Sequence, residues 1–264
     1  MTAAHRRGAP PDGPRPLRAD LAEPADVSRC FEEVRPDAVV HAAVLGRAED
    51  CENRPDEAER VNARLPGWVA ERCGERGLRL VALSTDLVFA GDRSFVTEQD
   101  AARPRNVYAQ TKRAGEQAVL SACPRAAVAR VALVLGRGHG PRGTSSESIA
   151  RALRSGRSVR LYTDEYRTPV DAESVADAVA RLLLATGSGL YHLGGAERVS
   201  RYELGVRVAR ALDLGSAGIV AAVLAEHPGP ETRPPDVSLD STRARRELGW
   251  LPRPLDAAIR DSRL

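Results

Sequence analysis

Of the 39 lysine and arginine residues in this 264-residue chain, one alone is lysine. It is Lys112, and it completes Tyr108-Ala109-Gln110-Thr111-Lys112, a Tyr-x-x-x-Lys pair. That spacing is about one helical turn, so both side chains share a face if the segment is helical. Arginine serves wherever else a basic side chain occurs. The lysine ammonium is a compact point charge on a flexible stem, whereas the guanidinium is a wide planar fork. A phenol titrates near roughly 10 in water, and a fixed cation beside it favours the phenolate. A tyrosine so tuned can give a proton to a carbonyl oxygen and recover it from solvent, which is general acid catalysis. Thr85, in Ser84-Thr85-Asp86, ends an apolar strand-like run. Open α/β sheets bind ligands in the crevice beyond such strand ends, and the Thr85 hydroxyl is expected to bond the same carbonyl oxygen. Phenol, hydroxyl and ammonium together make a carbonyl–alcohol site, with hydride from a nicotinamide. The bland alternative is a surface tyrosine and a snorkelling lysine; the uniqueness of Lys112 and the Thr85 strand end weigh against it.

The elements that must hold these groups are legible as alternating apolar runs and helical patterns. Ala38-Val39-Val40-His41-Ala42-Ala43, residues 78–83 and residues 127–135 read as strands. Between them, Val27, Phe31 and Val34 fall on one helical face, and Val61, Leu65, Trp68 and Val69 on another. Strands alternating with helices of roughly 10–15 residues indicate βαβ units and a parallel sheet. Further on, residues 136–146 read as a loop, 147–153 and 174–184 as helices, and Leu190-Tyr191-His192-Leu193 as a short strand. Residues 200–212 read as a helix opened by a Ser200/Glu203 capping box.

Composition narrows the class. A hydrophobic content of 42% supports a packed core. The net charge of +3, with arginine spread evenly among acids, gives no nucleic-acid footprint. No apolar run approaches about 18 residues, so no transmembrane helix and no membrane partner are expected. The basic N-terminal segment has no apolar h-region. Cys30, Cys51, Cys73 and Cys123 are scattered without a Cys-x-x-Cys, as expected of structural thiols in a cytoplasmic protein. No cluster has zinc spacing, and no metal is expected.

Two stretches carry a family likeness: Leu83-Ser84-Thr85-Asp86-Leu87-Val88-Phe89-Ala90-Gly91, and Pro104-Arg105-Asn106-Val107-Tyr108-Ala109-Gln110-Thr111-Lys112-Arg113-Ala114-Gly115-Glu116. With Arg35-Pro36-Asp37 through Ala43, Val61-Asn62, Asp164-Glu165-Tyr166-Arg167-Thr168-Pro169-Val170, and the stretch from Arg233-Pro234 to Asp240, the chain resembles the dTDP-4-dehydrorhamnose reductase family of extended short-chain dehydrogenases/reductases. The likeness runs from about Arg6 to near the end of the chain. It implies a Rossmann-type, doubly wound parallel α/β sheet with a smaller C-terminal substrate domain. Residues 1–136 would form the NAD(P)-binding domain, without its first βα unit. Residues 137–264 would mainly bind substrate, with 170–195 returning to the first domain. The implied activity is reduction of a 4-keto-6-deoxy sugar nucleotide with NADP(H), NAD(H) being the alternative. Thr85, Tyr108 and Lys112 would be catalytic, with Tyr108 and Lys112 also on the cofactor. Asp20, Leu21, Ala42, Ala43 and Asn62 would line the cofactor, and Asp86, Asn106 and Arg167 the nucleotide-linked deoxysugar. A homodimer is among the expectations.

The departures are as informative. The family opens with a strand and a Gly-rich turn whose amides hold the pyrophosphate at a helix N-terminus. Nothing before Asp20 supplies it; residues 1–7 look instead like the family's second strand and its following turn, as though the chain started one βα unit late. Arg6 and Arg7 then fall where a 2′-phosphate would be met, which favours NADP(H). Gly138-His139-Gly140-Pro141-Arg142-Gly143 is a literal G-x-G-x-x-G, but Pro141 removes an amide where donors are needed, and the resemblance makes this a loop beside the sugar. Leu87, Leu133 and Gly46-Arg47-Ala48 depart from the family's usual residues, which loosens rhamnose specificity. Asp86 is followed by Leu87, not by a second acid, which argues against dehydratase chemistry. Two rival readings remain. One is a non-catalytic subunit resembling the beta subunit of methionine adenosyltransferase; the other is a sugar-nucleotide epimerase. His41 and His192 read as packing residues, Trp250 as a core anchor, and Arg167 equally as a diphosphate contact or a salt-bridge partner.

Overall fold

The computed structural model describes residues 2–5, 15–21, 23–138, 143–227 and 232–262. The chain forms two compact units. The first comprises Met1–Ser84, Asn106–Ala129 and Leu182–Leu190; the second comprises Thr85–Arg105, Arg130–Arg181 and Tyr191–Leu264. In order, the elements are β1 (Thr2–His5), β2 (Arg15–Arg18), α1 (Pro24–Val34), β3 (Ala38–His41), α2 (Ala48–Asn53), α3 (Pro55–Glu59), a π-helical turn (Arg60–Arg64), α4 (Leu65–Glu75), β4 (Arg79–Thr85), α5 (Val107–Ala122) and β5 (Ala127–Val131). There follow β6 (Val134–Leu135), α6 (Ser145–Arg154), β7 (Val159–Tyr162), β8 (Tyr166–Arg167), β9 (Val170–Asp171), α7 (Ala172–Leu184), β10 (Gly189–Leu193), β11 (Val199–Ser200), α8 (Arg201–Ala211), β12 (Ile219–Ala222), α9 (Thr242–Leu248) and α10 (Leu255–Asp261).

The expected α/β fold with a parallel sheet is present. The principal sheet has the order β10-β5-β4-β3. Within it β3 and β4 run parallel, with Val39 beside Leu80 and His41 beside Ala82. The strand expected at the N-terminus is β1, which pairs in parallel with β2 in a sheet of its own. Alternation along β4 sends Leu80 and Ala82 into an apolar cluster with Val27 and Phe31 of α1, Val69 of α4 and Val119 of α5. Helix α1 starts on Pro24, where a missing N–H costs nothing. It stops at Arg35, which turns left-handed at φ 46°.

Helix α5 carries Tyr108 and Lys112, and its start is fixed twice. Asn106 Oδ1 accepts from Ala109 N at 2.9 Å, an N-cap. Glu52 Oε1 accepts from Val107 N at 2.9 Å. Its depth is fixed by Gly115. The π turn widens because Leu65 N reaches back to Arg60 O and Pro66, next in the chain, has no N–H to give Asn62 O. The Asn62 carbonyl therefore faces α5, and a Cβ on Gly115 would collide with it and lie 2.9 Å from Pro66 Cγ. Gly115→Ala is expected to destabilise the fold by about 1–3 kcal/mol, the usual cost of overpacking. Urea denaturation reads this, and an unchanged midpoint would show that α5 has room to move.

The second unit is built from short pairs. β7 with β12 and β6 with β9 are parallel; β8 with β11 is antiparallel. Leu135, Ile149, Leu161, Leu204 and Ile259 form its core. The 127–135 run, read as one strand, is two: beyond β5 the chain turns so that Val134 and Leu135 pair with Val170 and Asp171. Ser200 caps α8 through Glu203 N at 3.0 Å, but Glu203 binds Arg207 at 2.8 Å. The complete capping box belongs to Thr144 and Glu147, at the start of α6. Trp250 is the buried anchor expected, its indole N–H donating to Ser174 O at 2.8 Å.

Candidate active site

In the first unit the lysine is held where chemistry can use it. Lys112 is 6% exposed, and its Nζ donates to Leu83 O at 2.7 Å. Burial pulls its pKa down to about 8, with the Glu116 carboxylate opposing. Tyr108 lies one turn earlier on α5, half-buried, in the helix's first turn. Glu116, 2% exposed, accepts from Ser84 Oγ at 2.6 Å and from Arg113 at 2.8 Å, tying α5 to the end of β4. His41, at the end of β3, is 5% exposed. Burial and the nearby Lys112 charge hold it neutral, its pKa down at about 3.

Asn62, expected on the cofactor, makes its hydrogen bonds to the turn after β3 and to α5. It is 1% exposed. Its Oδ1 accepts from Leu45 N at 2.9 Å and its Nδ2 donates to Leu45 O at 3.1 Å and to Thr111 Oγ1 at 3.3 Å. Asn62 thus clamps the turn after β3 to α5. Cys51 adds its thiol to Leu45 O at 3.3 Å, and burial pushes that thiol up to about 11, keeping the S–H proton. In the clamped turn Ala42 is exposed and Ala43 half-buried, at the C-terminal end of a parallel strand, where ligands bind. Asp20 receives its structure from Asp26, whose Oδ2 accepts from Asp20 N at 2.7 Å, and Leu21 packs on the apolar cluster. Arg6 and Arg7 lie outside the described residues. Asn106, expected on the substrate, is 6% exposed with its Oδ1 committed to the α5 cap.

In the second unit Thr85 closes β4. Its hydroxyl donates to Asp86 Oδ1 at 3.1 Å and accepts from Leu87 N at 3.2 Å. Asp86 is 4% exposed, and its Oδ2, without a hydrogen bond among the described residues, sits 3.7 Å from Arg167 Nε. Burial raises Asp86 to about 6 against the pull of Arg167 and the Thr85 hydrogen bond. Arg167 also bonds Glu165 at 3.0 Å, so its salt-bridge reading holds in this structure. Glu165 is gripped by Arg233 through two bonds of 2.9 Å. Burial works to raise Glu165, but Arg167 and Arg233 outweigh it and hold the carboxyl low. Arg201 joins the cluster: its Nη2 bonds Ser145 Oγ, its buried Nη1 has no hydrogen-bond partner among the described residues, and burial lowers it to about 10.

Glu116, Glu165, Arg201 and Arg233 were not singled out from sequence. Glu116, Glu165 and Arg233 stood inside stretches of family likeness without a role of their own; Arg201 is an ordinary charged residue until the fold buries it. The G-x-G-x-x-G is partly described. Glu147 Oε2 accepts from Gly138 N and Thr144 N, both at 2.8 Å. The chain's own carboxylate thus takes the first amide of the motif, which a dinucleotide loop would offer to phosphate. His192 is the satisfied strand histidine expected, Nδ1 at 3.0 Å from Val96 O and Nε2 at 3.4 Å from Arg130.

A nicotinamide ribose fits the first unit's residues. A buried ammonium with one acceptor among the described residues, Leu83 O, keeps N–H capacity for a ribose hydroxyl.

Comparison with known proteins agrees with this architecture. The RmlD substrate binding domain matches residues 2–262. The chain is 30% identical over 239 residues to a probable low-salt glycan biosynthesis reductase of Haloferax volcanii, spanning 88% of this chain and 78% of that protein. It is 34% identical over 223 residues to a probable dTDP-4,6-dihydroxy-2-methyloxan-3-one 4-ketoreductase of Streptomyces antibioticus, spanning 81% and 73%. A dTDP-4-dehydrorhamnose reductase of Bacillus anthracis solved in complex with NADP shares the fold, with a TM-score of 0.87 at 21% identity over 94% of this chain and 88% of that one. With one family spanning nearly its whole length, the chain belongs to the RmlD substrate-binding-domain family.

Proposed function

We propose that the chain reduces the keto group of a nucleotide-linked 4-keto-6-deoxy sugar, using NADPH or NADH. The observation that carries this reading is Lys112: a buried ammonium on the helix that also bears Tyr108, anchored to a carbonyl near the end of β4. The family relatives named as reductases support it.

In this reading residues 1–136 mainly hold the cofactor and the remainder the sugar nucleotide. Lys112 Nζ holds the nicotinamide ribose. The bound nicotinamide supplies hydride to the carbonyl carbon. Tyr108 gives its phenolic proton to the carbonyl oxygen, and the phenolate left behind is favoured by Lys112 and by the positive end of α5. Thr85 orients the carbonyl once its hydroxyl turns from Asp86, a 3.1 Å bond that is long for O–H···O. Asn62 acts through the clamped turn, fixing Ala42 and Ala43 for the cofactor. The guanidiniums of Arg167, Arg201 and Arg233 meet the diphosphate, with Arg201 Nη1 a donor lacking a partner among the described residues.

Incubation with a dTDP-4-keto-6-deoxy sugar and each cofactor in turn tests the reading. One cofactor oxidised per sugar reduced is expected. Sugar interconversion without net cofactor consumption would make the chain an epimerase, and binding without conversion a non-catalytic subunit.

A further inference from the structure

A small cavity lies inside the first unit, where the ends of β3 and β4 meet α5. His41, Asn62, Ser84, Lys112, Gly115 and Glu116 are among its lining residues. It leaves about 10 Å³ for the centre of a water, close to what a single molecule requires. Its walls mix apolar side chains, Pro66, Ala82, Val119 and Val128 among them, with a few polar groups that are unevenly satisfied. His41 Nε2 is fully covered and has no hydrogen-bond partner among the described residues, in a side chain 5% exposed. Lys112 Nζ has one acceptor among the described residues, Leu83 O, for its three N–H groups. Ser84 Oγ donates to Glu116 Oε1, so its oxygen still has lone pairs to offer.

We propose that this cavity is a built site for one water, which bridges Lys112 Nζ to His41 Nε2 and makes His41 a positioning residue for the ammonium. The proton inventory closes. Lys112 donates to the water, and the water donates one hydrogen to His41 Nε2 and the other to Ser84 Oγ. His41 then carries its own proton on Nδ1. Three partners are what a buried water ordinarily finds, and a covered acceptor left dry would be costly. The charged and titratable groups lining the cavity are His41 from β3 and Lys112 and Glu116 from α5; β4 and the π turn contribute no titratable side chain, only the polar Ser84 and Asn62 beside the apolar Ala82 and Leu83. A neutral imidazole suits this place, because a second cation would repel the ammonium, and burial beside Lys112 keeps His41 neutral. The inference deepens the role given to Lys112, but its test needs no turnover and so fails or stands separately.

Lys112 is the chain's single lysine, so labelling the protein with lysine carrying carbon-13 at Cε gives one side-chain NMR signal from the whole molecule. Its pH titration is compared in the wild type, His41→Leu and His41→Gln. Leu removes the acceptor and dries the cavity. The Lys112 titration is then expected to move down by about one unit, a tenfold loss of proton affinity. Gln restores an acceptor near the Nε2 position, and the titration should stay near the wild-type value. An unmoved titration in His41→Leu, or an equal fall in His41→Gln, overturns the proposal. Should His41→Leu fail to fold, a high-resolution crystal structure of the wild type decides: one water within hydrogen-bond distance of both atoms is expected, and its absence at full order of both side chains overturns the inference.

Discussion

Tyr108→Phe is expected to keep the fold and lower turnover by roughly 10²–10⁴-fold, the usual contribution of a positioned general acid. The substitution removes one hydroxyl from a half-buried ring. The start of α5 rests on Asn106 and Glu52, which are untouched, and the apolar cluster behind the helix does not include Tyr108. Thermal unfolding should therefore move little. Cofactor affinity should also hold, because Lys112 keeps its place against Leu83 O. The loss is then confined to the chemical step, with kcat falling and the cofactor dissociation constant steady. A fully active Tyr108→Phe chain would remove tyrosine from the mechanism.

Lys112→Arg is the second large effect, with activity lost by at least about 10²-fold despite the retained charge. The ammonium sits in a 6% exposed slot beside a cavity with room for about one water. A guanidinium is broader and cannot present a point charge to a ribose and a phenol together. Lys112→Met separates charge from shape and should be equally inactive. Its pH signature gives a further check. Burial lowers Lys112 from 10.5 to about 8 in the folded chain. Between those values the unfolded chain holds a proton that the folded chain has released, so this group makes stability rise as pH climbs from about 8 toward 10.5. Activity runs the other way, falling above about pH 8 as the ammonium is lost. Lys112→Met should flatten that rise in stability, and a mutant with the wild-type slope would show that Lys112 is not perturbed. An active Lys112→Arg enzyme would contradict the point-charge argument itself.

What the sequence made legible was local. The Tyr-x-x-x-Lys spacing, the apolar runs of β3 and β4 and the Ser200 cap each depend on neighbours in the chain, and each appears in the structure; the Trp250 anchor was legible from its bulk and apolar character, though its partner Ser174 is far away in the chain. The less legible features depend on distant partners or on small departures from regular geometry. The π turn arises because Pro66 has no N–H, and Gly115 matters only because that turn faces it. Asn62 was read as a cofactor-side residue; that its amide matches both backbone groups of Leu45, 17 positions away, was not legible. Glu116 looks like any helix surface acid until Ser84 meets it. Thr85 was legible as a strand-end hydroxyl; its hydrogen bond to the next residue, Asp86, was not, because it depends on the turn that follows β4. The arginine cluster gathers positions 167, 201 and 233 around Asp86 and Glu165, and no spacing rule connects them.

The central claim is that this chain delivers hydride to a sugar carbonyl with Tyr108 as proton donor. The most direct test is turnover of a dTDP-4-keto-6-deoxy sugar with nicotinamide cofactor deuterated at its transferable position, followed by mass spectrometry of the sugar. The account predicts one deuterium on the former carbonyl carbon with the wild-type chain and a rate lower by roughly 10²–10⁴-fold with Tyr108→Phe. Unlabelled sugar recovered unchanged from a folded, cofactor-bound wild-type chain would contradict it.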